Sequence, residues 1–116
     1  MISVGKGKYK IWLKEQILDK GLVLMVGGGE LSHIGSVVLS EPRTSKTGKE
    51  ISYTSQIINV LGHKEEEIAR NFAEKTCLKK KLPVLCVCGI HVDCATKKEI
   101  KMLVSNAKKL LKKYIG

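Results

Sequence analysis

Between Lys8 and Lys14 polar and apolar residues alternate, which predicts a strand with Tyr9, Ile11 and Leu13 on one face and Trp12 on the other. Asp19-Lys20-Gly21 reads as a hairpin turn. Leu22 to Val26 follows as an unbroken apolar run, the signature of a strand buried on both sides. Gly27-Gly28-Gly29 is expected to break that strand, and Ile34 to Leu39 to resume it as a third. The polar stretch Ser40 to Lys49, punctuated by Pro42 and Gly48, predicts an exposed, mobile loop. Ile51 to Leu61, rich in Ile, Val, Tyr, Thr and Ser, predicts a fourth strand with a bulge.

Thereafter the period changes from two to that of a helix. From Lys64 to Leu78 the residues Ile68, Ala69, Phe72, Ala73 and Cys77 fall on one face, with Glu65, Glu66 and Glu67 suitably placed in the first turn. Pro83 opens a short buried strand, Val84 to Cys88, in which the Cys86 and Cys88 thiols point to the same side. Thr96-Lys97-Lys98-Glu99 is a capping box, and Ile100, Leu103, Val104, Ala107, Leu110, Leu111 and Tyr114 continue it as an apolar stripe. The order ββββαβα predicts one α+β domain over residues 1–116. It would be a four-stranded antiparallel meander with one added strand and both helices on one face.

Composition narrows the function. An apolar fraction of 43% with 28% charged residues is that of an ordinary soluble domain. No apolar run approaches the roughly 20 residues of a membrane span, and Met1-Ile2-Ser3-Val4-Gly5-Lys6 lacks the layout of a secretory signal. A cytoplasmic location with reduced thiols is the expectation for Cys77, Cys86, Cys88 and Cys94. The net charge of +10 suggests a polyanionic partner, but only Arg43 and Arg70 among the cations are arginines. The lysines are dispersed and aromatics amount to 4%, which weighs against nucleic acid and favours a solvated lysine surface.

Candidate chemistry gathers at glycine-rich junctions. His33 follows Gly28, Gly29 and Ser32 and precedes Gly35; His63 sits between Gly62 and Lys64; His91 stands between Gly89 and Asp93. Glycine lets a backbone approach a ligand closely, and a helix start such as that at Thr96 offers free N–H groups to an anion. The glycine run opens no helix and lacks Gly-Lys-Ser or Gly-Lys-Thr, so it is not a nucleotide P-loop. The three histidines with Asp93 could bind zinc or iron, although no local His pair has ligand spacing. Cys94 near His91 is the one arrangement suggestive of a nucleophile.

The segments Ser32-His33-Ile34-Gly35-Ser36-Val37, Gly62-His63-Lys64-Glu65 and Gly89-Ile90-His91-Val92-Asp93-Cys94-Ala95-Thr96 resemble the motifs of the LpdD-like, prenylated-flavin chaperone-like family. That family includes the small D subunit of gallate decarboxylase. Motif order, spacing and the closing Thr-x-x-Glu helix extend the resemblance over nearly the whole chain. It implies a non-catalytic accessory protein that helps prenylated FMN, or FMN, to be delivered to, matured in or retained by a dependent decarboxylase. The order of elements also resembles small proteasome-assembly chaperones, which implies a homodimer. Under this reading Gly28, Gly29, Ser32, His33, Gly35, Gly62, His63, Lys64, Gly89, His91, Asp93 and Thr96 form the cofactor pocket. The histidines would bond the phosphate or the ring carbonyls. The phosphate would rest at a helix start with Lys64 or Lys97 nearby, the second helix being favoured because Glu65 to Glu67 oppose an anion at the first. Two alternatives stand beside it: an assembly chaperone without a small ligand, using an exposed sheet face that carries Trp12, and a metal-dependent enzyme built on the histidines.

Overall fold

The computed structural model describes residues 1–45, 47–60 and 65–116. Among them the strands are β1 (Ile2–Val4), β2 (Ile11–Leu18), β3 (Gly21–Gly29), β4 (Ser36–Thr44), β5 (Ile51–Asn59) and β6 (Val84–His91), with helices α1 (Glu66–Lys80) and α2 (Lys97–Ile115). The α+β class holds, but the meander does not. The six strands form one mixed sheet in the order β1-β2-β3-β6-β4-β5. The late strand β6 lies parallel to β3 and antiparallel to β4, between two strands that precede it in the chain. Two connections permit this. Residues 30–35 arch across the end of β6, and α1 carries the chain from the edge strand β5 back to the centre, as a parallel crossover requires.

The pleat sorts the side chains by face. Leu13, Val26, Cys88, Ser36 and Asn59 form one cross-strand row; Leu24, Cys86, Val38 and Ile57 form part of another. Both rows face the helices. Their central members are buried with Phe72, Ala69, Leu103 and Leu110 in a single core. Towards β5 this face turns polar. Ser40 and Ser55 share a 2.8 Å hydrogen bond, Ser55 donates to Glu74 at 2.7 Å, and Asn59 donates to Glu66 at 2.7 Å. α1 is thus tied to β5 at Glu66 and Glu74 by hydrogen bonds, each fixing its position more narrowly than an apolar contact would.

Several local expectations are corrected. The strand expected from Lys8 begins at Ile11, as β2, because residues 7–9 form a 3-10 turn entered through Gly5 and Gly7 at positive φ. Tyr9 therefore leaves the sheet and donates its hydroxyl to Glu99. The short β1 pairs Ser3 with Trp12, a strand too brief to show a period. β3 is not buried on both sides, since the helices cover one face only and Met25 on the other is 45% exposed. Nor does it stop before its glycines; it runs through Gly29. Most of Ser40 to Lys49 is strand or tight hairpin rather than a long loop. β4 and β5 pair regularly from Ser36↔Asn59 to Thr44↔Ile51, without a bulge. Pro42 is tolerated because it lies beyond Ser40, the last residue of β4 paired to β6, so its missing N–H removes no rung there. In α2 the Thr96–Glu99 capping box forms as expected, while Ile100 of the expected stripe is exposed.

The core predicts a clear stability effect. Phe72 is 1% exposed at the centre of the helix–sheet contact. Phe72→Ala should lower unfolding free energy by about 3–5 kcal/mol, measured as a reduced urea midpoint at unchanged slope.

Candidate functional site

The chain is drawn tight where β3 and β6 end side by side. Gly29 pairs with His91 in the parallel ladder. The His91 carbonyl accepts from the Glu30 and Leu31 N–H groups at 2.7 and 3.3 Å, and Gly35 donates to the Cys88 carbonyl at 2.9 Å. Residues 30–35 are therefore stitched at both ends to the last turn of the sheet. Gly89 lies directly under this arch. A Cβ there would sit 1.7 Å from the His33 carbonyl oxygen, and one on Gly29, whose φ is +73°, would sit 2.3 Å from the His91 carbonyl. The glycines expected to admit a ligand thus admit the protein's own backbone.

This closeness brings two of the histidines together. The rings of His33 and His91 meet edge to face, 6.2 Å between centroids. Each is held by a carboxylate: His33 Nε2 lies 3.0 Å from Glu65 Oε1, and His91 Nε2 lies 2.7 Å from Asp93 Oδ1. Glu65, which immediately precedes α1, is buried and also accepts from the Ile90 N–H at 3.3 Å. Its carboxylate fills the space beside Gly35, where a Cβ would come within 2.5 Å of Oε2. Glu30 closes the far side, accepting from the Asp93 N–H at 2.8 Å. Neither Glu30 nor Glu65 stood out as a site residue in the sequence. Glu65 has the appearance of a helix-start charge, and only its place two residues after His63 hinted at more.

The remaining candidate residues divide. Ser32 is exposed on the arch, and Gly28 packs against the Lys10 carbonyl. Gly62, His63 and Lys64 lie outside the described residues. Thr96 is committed to its own helix: its hydroxyl accepts from the Glu99 N–H at 3.1 Å, and Glu99 accepts from the Thr96 N–H at 3.1 Å. Lys8, the Thr96 N–H and the Tyr9 hydroxyl hold the Glu99 carboxyl down to about 2. This helix start therefore already carries a carboxylate, leaving the Lys97 and Lys98 amides as its unclaimed donors.

Two features define what the arrangement can do. Glu30, Glu65 and Asp93 surround two imidazoles, so the local field disfavours a phosphate in their midst despite the net charge of +10. An imidazole fixed by a carboxylate presents its other nitrogen in a set direction. That nitrogen of His91 makes no hydrogen bond among the described residues. Cys86 and Cys88 are buried, which pushes both thiols up and makes them poor nucleophiles. Cys94 is exposed, at a left-handed turn with φ of 49°. Among the described residues no group of three or more His, Cys, Asp or Glu side chains is placed to hold a metal ion. No described helix is long and apolar enough to cross a membrane.

Gly89→Ala should force the arch off β6 and destabilise the protein by about 1–3 kcal/mol. Ser32→Ala, exposed on the same arch, should change the urea midpoint little; equal effects would show that the contact under His33 is not tight.

No curated protein matches the chain. A family model described as the prenylated flavin chaperone LpdD-like domain matches residues 5–116, a span that includes both described histidines and every element from the 3-10 turn to α2. The chain belongs to this prenylated flavin chaperone LpdD-like family and is accordingly a non-catalytic protein.

Proposed function

We propose that the protein binds prenylated FMN, or FMN, and helps deliver it to a decarboxylase that depends on it. The observation that carries this reading is the convergence of His33 and His91 at the end of the central strands, each imidazole aimed by a carboxylate. His91 and Asp93 would bond the ring edge, and Ser32, on the arch above, would contact its flank. The phosphate would lie at the start of α2 near Lys97, with His63 and Lys64 as further contributors from the segment before α1. Family membership supports the flavin class, and the acidic surround supports recognition through the ring rather than through the phosphate. Titration of the purified protein with reduced prenylated FMN and with FMN tests it. Binding should be saturable, and His91→Ala and His33→Ala should each weaken it at least tenfold. Absence of binding by both flavins, or affinity unchanged in His91→Ala, would refute the reading.

The face of the sheet away from the helices supports homodimerisation, either alongside flavin binding or as an assembly surface without it. Met25, Val87, Val37 and Ile58 form one row across it, and Val23, Leu85 and Leu39 lie in the next. Trp12 packs over Gly27 at its margin, its ring also met by Lys14 at 5.5 Å. Met25 and Ile58 are 45% and 68% exposed, an apolar run of the kind that marks an interface. Sedimentation equilibrium should give a dimer for the native protein and a monomer for Val37→Lys, with unaltered circular dichroism. A monomeric native protein would remove the homodimer.

A further inference from the structure

α1 and α2 leave a groove of about 490 Å³ between them. Its floor is Phe72, Ala107 and Leu111, all buried, and the small Ala107 leaves room that a larger residue would fill. Lys75, Lys108 and Lys112 line the rim and are exposed, with Glu67 the acidic side chain among the lining residues. None of the three lysines is paired to a carboxylate among the described residues. An apolar trough edged by uncompensated cations suits a ligand with a greasy body and an anionic end. The volume falls in the small-molecule range of about 300–1,000 Å³. A docked protein helix would instead need about 800 Å² of surface on each side.

We infer that this groove binds a single-chain anionic amphiphile, with its tail on Phe72, Ala107 and Leu111 and its head among Lys75, Lys108 and Lys112. The site is independent of the flavin reading, since no residue of the histidine cluster lines it. Calorimetric titration of the full chain with octanoate, decanoate and dodecanoate, each below its micelle concentration, tests it. Affinity should rise about fourfold per methylene as the tail is buried. Dodecanol, with the same tail and no charge, should bind at least tenfold more weakly than dodecanoate. The double variant Lys108→Glu/Lys112→Glu, altered only at the surface, should show the same loss for dodecanoate with an unchanged circular dichroism spectrum. Ala107→Phe should abolish binding, and its thermal melt shows whether the helix pairing survives the larger ring. Affinity independent of chain length, equal binding of the alcohol, or an unaffected lysine variant would overturn the inference. So would binding of an acidic amphipathic peptide where the carboxylates do not bind, which would assign the groove to a protein partner. His91→Ala should leave dodecanoate binding unchanged; a loss there would also overturn the site.

Discussion

The main chain of His33 passes so close above β6 that nothing larger than a hydrogen fits beneath it at position 89. That contact governs both topology and site. Residues 30–35 can bridge β3 to β4 over an intervening strand only by lying flat on its end, and the His91 and Cys88 carbonyls supply the hydrogen bonds that keep them there. The same flatness places His33 beside His91 and within reach of Glu65. An arch one residue higher would separate the imidazoles.

What could be read from the sequence was mostly local. The Thr96–Glu99 box, the Phe72 face of α1 and the like-facing Cys86 and Cys88 depend on spacing within one element, and the structure has each of them. The position of β6 depends on pairing with residues some sixty positions earlier, such as Val26 with Cys88, and no periodicity encodes a partner. Polarity misled in a different way. Ser40 reads as the first residue of a loop, yet it lies in β4 and shares a hydrogen bond with Ser55, which donates to Glu74, so its polarity is matched rather than solvated. In the site, the glycines and histidines were visible as a pattern, whereas Glu30 and Glu65 were not. Their significance lies in which backbone N–H and imidazole they meet, and that is set by the arch.

Charge is distributed against the average. The chain carries an excess of ten positive charges, but the neighbourhood of His33 and His91 is ringed by Glu30, Glu65 and Asp93. The lysine surplus lies elsewhere, on the outer turns of α2 and along the groove between the helices. The net charge alone therefore does not describe the surroundings of these two imidazoles.

The four cysteine sulfurs are as unevenly placed as the charges. Cys77, Cys86 and Cys88 are sealed in the core, while Cys94 stands in solvent next to Asp93. A maleimide dye added to the native, unmutated protein would therefore attach at one position. That position lies three residues from His91, so the protein carries a built-in handle for a fluorescent reporter of its own histidine end.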